Sequence, residues 1–208
     1  MKTKTLLIAA AALVAGVISS DAQVYSANIV GYVNVVYPAG QFVLVSNPLD
    51  DGTNTTTSLG QALANKSSIQ VWNGSGFTGA NKASGVWTPD ISIPVGTGFF
   101  VNSKTTITNT FVGTVVPSVG GSTTNAFPAG TLVLVGSTIP YAGDLNDTNL
   151  NLGPVLANKS SIQVWNGTGF DGANKASGVW TPNLTLAVGQ GFFVNSKTAT
   201  NWVQTLQP

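Results

Sequence analysis

The chain has 208 residues and a formal net charge of +1, with no His, Cys, Arg or Glu and only 7% charged residues. Those absences exclude Ser-His-Asp and thiol nucleophiles and the ordinary zinc ligand sets. They also exclude a basic surface able to displace counterions from a nucleic-acid backbone.

From the N-terminus, Met1-Lys2-Thr3-Lys4-Thr5 followed by the apolar run Leu6 to Ile18 reads as a secretory leader. The run is too short to span a bilayer, which takes about 20 apolar residues. Small residues at Ser20 and Ala22 place the cleavage before Gln23, so 1–22 is expected to be removed. Losing Lys2, Lys4 and Asp21 with the leader leaves six Lys and six Asp, a neutral mature chain without a transmembrane helix. Secretion to the extracellular space or cell surface is the expected destination, and without cysteine the exported protein must rely on packing and backbone pairing.

Residues 23–37 come next. Tyr25, Ala27, Ile29, Gly31, Val33, Val35 and Tyr37 form an unbroken non-polar series at period two, while Ser26, Asn28, Val30, Tyr32, Asn34 and Val36 alternate with them. That period specifies a long strand with one buried face. Its place at the mature N-terminus leaves it free to pair with its own module or to be donated to a neighbouring copy, with Tyr25, Ala27, Ile29, Gly31, Val33 and Val35 as the assembly face.

The body is a duplication. Leu63 to Gly74 recurs without change as Leu156 to Gly167, and across 63–105 and 156–198 there are 35 identities in 43 positions. Upstream, Pro38-Ala39-Gly40 and Phe42 to Val45 match Pro128-Ala129-Gly130 and Leu132 to Val135. The expected organisation is one β module over 38–119, a linker over 120–126 and a second module over 127–208. Within each copy the patterns are those of short strands. Phe42 to Val45 is a buried apolar run, Ile69 to Trp72 alternates into the hairpin turn Asn73-Gly74, Gly85 to Thr88 stops at Pro89, and Gly98 to Asn102 begins with a glycine suited to a close neighbouring backbone. One helical signal, Ser58 to Leu63, has its counterpart at Leu152 to Leu156, where Gly153-Pro154 limits it to about one turn. A third motif occurs three times, at Ile29 to Val33, Phe111 to Val115 and Trp202 to Leu206, an odd number for two modules. The expected fold is all-β: two tandem small antiparallel modules, sandwich or barrel-like, with an extra N-terminal strand.

Chemistry-bearing residues are few. Trp72, Trp87, Trp165 and Trp180, set beside Asn and Lys, are either core residues or flat platforms for sugar rings. Asp50, Asp51 and Asn54, and Asp144, Asn146, Asp147 and Asn149, cluster oxygen donors in loops, but their spacing is no calcium pattern and the same residues are ordinary turn formers. Gly96-Thr97-Gly98 and Gly189-Gln190-Gly191 lead into strands rather than a helix start and lack a basic residue, so tight turns explain them better than phosphate binding. Lys104 and Lys197 lie near Asn102 and Asn195, where solvated strand-end lysines are favoured over amide crosslinks. No catalytic residue, cofactor or metal is expected.

Val30-Gly31-Tyr32-Val33, Ser46-Asn47-Pro48, Val71-Trp72-Asn73-Gly74, Trp87-Thr88-Pro89 and Gly96-Thr97-Gly98-Phe99-Phe100 resemble a class of exported bacterial β-repeat proteins carrying strand–Asn-Pro, Trp-Asn-Gly and Gly-x-Gly-aromatic segments in that order. The resemblance implies export and a β fold and transfers no site residue. The expectation for function is a non-enzymatic structural or surface protein whose copies join into filaments by strand addition, with itself as partner. The alternative is a tandem polysaccharide-binding protein.

Overall fold

A computed structural model describes residues 29–206; the leader and the strand positions Tyr25 and Ala27 lie outside the described residues. The protein is all-β with two short helices, arranged as two modules of the same design.

In the first module β1 (Val30–Tyr37) pairs antiparallel with β7 (Ile107–Thr114) as a two-stranded ribbon, Val30 opposite Thr114 and Tyr37 opposite Ile107. Beneath it lies a five-stranded antiparallel sheet. Its strands are β2 (Phe42–Ser46), β3 (Ser68–Trp72), β4 (Phe77–Ala83), β5 (Val86–Thr88) and β6 (Gly98–Asn102), in the spatial order β2-β6-β3-β4-β5. The helix α1 (Thr56–Leu59) starts two residues before the sequence signal, because Thr55 and Ser58 close a reciprocal capping box. The second module repeats this with β9 (Leu132–Gly136), β11 (Ser161–Trp165), β12 (Phe170–Ala176), β13 (Val179–Thr181) and β15 (Gly191–Asn195) in one sheet. It has its own one-turn helix α2 (Leu152–Val155) and a small β10–β14 pair (Gly143–Asp144 with Thr185–Leu186).

Its ribbon corrects two expectations. Residues 122–126, most of the stretch read as a linker over 120–126, form with Phe127 the strand β8 (Ser122–Phe127), which pairs with β16 (Thr200–Thr205). The odd strand count is thereby resolved: each module has a two-strand ribbon, and the fourth strand, rich in Ser and Thr, lacks the apolar signature of the other three. The N-terminal strand is likewise no extra element, since from Val30 to Tyr37 it is half of the first ribbon, paired within its own module. Val33 and Tyr37 point inward with Phe111, over Val45, Ile69, Phe99, Val101 and Trp87, as the period-two face requires.

Strand β6 is buried on both faces: Phe99 and Val101 enter the first module's core, and Phe100 turns the other way. β15 behaves alike, with Phe192 and Val194 inward and Phe193 outward. The outward residues meet. Leu44, Phe100, Leu134 and Phe193 form a buried cluster between the two sheets, which is why these strands read as continuous apolar runs rather than alternating ones. Edge contacts follow the same pseudo-twofold relation: Ser46 N–H donates to the Gly189 carbonyl (2.8 Å), and Gly136 N–H donates to the Gly96 carbonyl (2.9 Å). Glycine is needed where these backbones approach, for a Cβ on Gly191 would lie 2.5 Å from the Val45 carbonyl oxygen.

Gly191→Ala therefore meets main chain that no rotamer change can relieve. It is expected to lower unfolding free energy by about 1–3 kcal/mol, measured by chemical denaturation, whereas Gly74→Ala, with open space around its Cβ, should show only the smaller cost of its positive φ.

Candidate functional site

The four candidate tryptophans, Trp72, Trp87, Trp165 and Trp180, sort into two pairs. Trp87 is 3% exposed, lies against Gly60 and donates its indole N–H to the Gly60 carbonyl (3.2 Å). Trp180 is its buried counterpart in the second module. Trp72 and Trp165 are half-buried between the modules, and each donates across the junction: Trp72 Nε1 to the Leu132 carbonyl (3.0 Å), Trp165 Nε1 to the Phe42 carbonyl (2.8 Å). Their rings belong to a network of edge-to-face contacts. Trp72 meets Phe77 and Phe193 at 5.1 and 5.6 Å, and Trp165 meets Phe170 and Phe100 at 5.0 and 5.5 Å. Such pairs stabilise by roughly 0.5–1.5 kcal/mol each beyond area burial. Trp87 and Trp180 are core residues of their modules, whereas Trp72 and Trp165 bind across the junction and keep part of their surface exposed.

The Asn73 hairpin is closed by its side chain, not by two left-handed residues: Asn73 Oδ1 accepts from Ser75 and Gly76 N–H, and only Gly74 has positive φ. The acidic loops are similarly occupied with themselves. Asp50 Oδ1 accepts from Gly52 N–H and Asn54 Nδ2, Asp51 Oδ1 from Thr53 and Asn54 N–H, and Asp147 from Asn149 N–H and the Tyr141 hydroxyl. Partial burial would push the Asp51 carboxyl up, but its hydrogen bonds hold it below the usual carboxylate range. The same balance lowers Asp90, which caps α1 by accepting from Thr57 N–H and the Thr56 hydroxyl. Among the described residues no cluster of three His, Cys, Asp or Glu side chains is placed to hold a metal ion, and no helix is long and apolar enough to cross a membrane.

Two lysines escaped sequence reasoning. Lys82 and Lys175 are 8% and 7% exposed, and both donate to main-chain carbonyls just after the short helices: Lys82 Nζ to Gln61 (2.7 Å) and Gly60, Lys175 Nζ to Leu156 and Gly153. Burial pulls the Lys175 ammonium below the ordinary lysine range. The available signal was parity: on β4 and β12 these lysines stand two residues after the inward Ala80 and Ala173.

The assembly residues expected on the N-terminal strand occupy different positions from those a donated strand would need. Gly31, Val33 and Val35 face their own module's interior, and Ile29 is 44% exposed at the strand's start. The opposite face, read as merely mixed, carries the exposed apolar side chains Val30 (70%), Tyr32 (73%) and Val36 (57%), with Val112 (56%) across from Tyr32 on β7. In the same relation to its module, the second ribbon has Ser122 for Tyr32, Ala126 for Val36 and Thr205 for Val112, and its one large exposed apolar side chain among these strands is Val203 (40%), where the first has Thr110. An outer apolar face is thus not a requirement of this ribbon fold.

Two outcomes are expected. Trp72→Ala and Trp165→Ala should each lower the unfolding free energy, on the order of 3 kcal/mol, while Trp→Phe at either position should cost about 1 kcal/mol for the lost N–H bond; both are read by denaturant titration. Asp51 and Asp90 have folded values below 3.8, so the stability they contribute is full above that pH and drains away as pH falls through the lower folded values. Acid titration of Asp90→Asn should accordingly show a shallower loss below about pH 4 than the parent chain.

Comparison with protein-family models, with curated proteins and with solved structures found no match.

Proposed function

We propose that this chain is an exported, non-enzymatic structural protein that assembles with copies of itself through its first ribbon. Several properties support that reading. The mature chain is neutral and has no His, Cys, Arg or Glu. The sheet-on-sheet junction is isologous, the same residues contributing from each module, so it closes on itself within one chain and offers nothing to a further copy. The pair of ribbons lies outside that junction.

The observation that carries the proposal is the difference between them. Duplicated bodies with 35 identities in 43 positions bear one ribbon faced with Val, Tyr and Val and one faced with Ser, Ala and Thr. Exposed apolar residues gathered on one sheet face mark a contact surface. Tyr adds a large, rigid, amphipathic group of the kind that anchors interfaces, and a neutral protein has little charge repulsion to keep copies apart. Non-repeating contact between unlike ends of successive copies would extend into a fibre unless it closed.

The second ribbon supplies the control. Replacing Tyr32 by Ser, Val36 by Ala and Val112 by Thr gives the first ribbon the outer residues that its own counterpart already tolerates. The triple variant is expected to keep the thermal midpoint within a few degrees, as surface changes do, and to lose concentration-dependent growth in light scattering. Unchanged scattering would remove the ribbon face from the assembly.

A further inference from the structure

The two edges of β7 differ along their length. Val115 N–H donates to the Ile29 carbonyl (2.7 Å), which fixes the alternation of the β1–β7 ladder: odd-numbered β7 residues turn their N–H and C=O groups toward β1, and even-numbered ones turn theirs outward. Thr114 confirms this, since its N–H and C=O pair reciprocally with Asp50 on the outer side (2.8 and 2.9 Å). That pairing ends there. Thr108, Thr110 and Val112 direct their main-chain groups to an edge where no described strand lies, and the edge opens on a groove of about 710 Å³. Leu49, Leu59 and Phe111, all buried, form its floor, and Thr and Ser side chains with Asp51 and Asp90 form its wall. The corresponding edge of the second ribbon opens on a smaller groove of about 470 Å³, where Asn151 Nδ2 already donates to the Val203 carbonyl (3.3 Å).

We propose that this groove is a strand-acceptor site for Gln23 to Asn28 of a second copy. The inference rests on the self-assembly reading and deepens it by naming both halves of the joint. The segment suits the groove in pattern. Tyr25 and Ala27 at period two would enter over the apolar floor, in line with Phe111, while Ser26 and Asn28 would lie beside Thr110 and Val112 on the outer face. It carries no acidic residue to oppose Asp51 and Asp90.

Chain length decides that the donor is another copy. Ile29 sits beside Val115 on the inner side of β7. The groove lies on the opposite side, about 10 Å away as two strand spacings, and begins past the Asp50 pairing, about another 10 Å along β7 as three residues. Residues 23–28 reach only about 20 Å fully extended, so a segment turning back on its own molecule is exhausted before it can pair with Val112, Thr110 and Thr108. From a neighbour it meets the edge along its whole length, adds main-chain hydrogen bonds and completes the sheet.

The absence of native cysteine makes the test clean. A chain carrying Ser26→Cys is mixed under mild oxidation with chains carrying Thr108→Cys, Thr110→Cys or Val112→Cys, all exposed positions on the acceptor strand. Side chains directly opposite on adjacent strands have Cβ atoms about 5 Å apart, close enough for a disulfide with slight adjustment. At least one acceptor position is expected to give mixed covalent dimers in roughly tenfold excess over Thr205→Cys, because docking raises the local thiol concentration. If none exceeds that control while the parent chain still grows in light scattering, the acceptor site is wrong and self-assembly stands. If the parent chain does not grow at any concentration, both fall together.

Discussion

The contact on which the rest depends is the junction of two sheets through Leu44, Phe100, Leu134 and Phe193, bounded by the reciprocal indole bonds of Trp72 and Trp165. A small β module made of one five-stranded sheet and a ribbon can bury only one face of that sheet. The other face, with Leu44 and Phe100 or Leu134 and Phe193, must find a cover. Duplication provides it within a single chain. Tandem copies of one surface meet as a two-subunit oligomer would, and the junction obtains the apolar cover and the directional bonds without disulfides or ion pairs. The glycines at 98, 136 and 191 belong to the same arrangement, since each leaves room where one module's strand runs against the other.

Closure of the junction also determines what can differ. The bodies are held alike because each half of the interface must fit the other. The ribbons lie outside that constraint and have diverged. One kept a long alternating strand with an apolar outer face, and the other became a short Ser- and Thr-rich strand whose outer edge is partly blocked by Asn151. The divergence is where interaction with other molecules is free to act.

Much of the architecture was legible in the residues. Period two in the N-terminal strand identified its buried face, and the repeat identified two modules. Pro154 and Gly153 limited the second helix to one turn, and Gly191 marked a close backbone approach. Ser122 to Asn125 fell within the linker reading of 120–126 because Ser, Thr and Asn give no apolar alternation; the strand character comes from pairing with β16, a long-range contact that local propensity does not encode. Trp72 and Trp165 were legible as aromatic anchors but not as junction residues, since nothing local distinguishes a core indole from one shared between modules. Lys82 and Lys175 were missed because a lysine in a polar-looking strand is ordinarily solvated, and only its inward parity and the carbonyls at the helix ends reverse that. The apolar character of Val30, Tyr32 and Val36 was visible, while its exposure was not, because exposure depends on which face the module covers.

In the proposed assembly successive copies join through the first ribbon. Electron microscopy of the purified mature chain over a rising concentration series tests it most directly. Thin linear filaments are the predicted result; single compact particles at every concentration would contradict it.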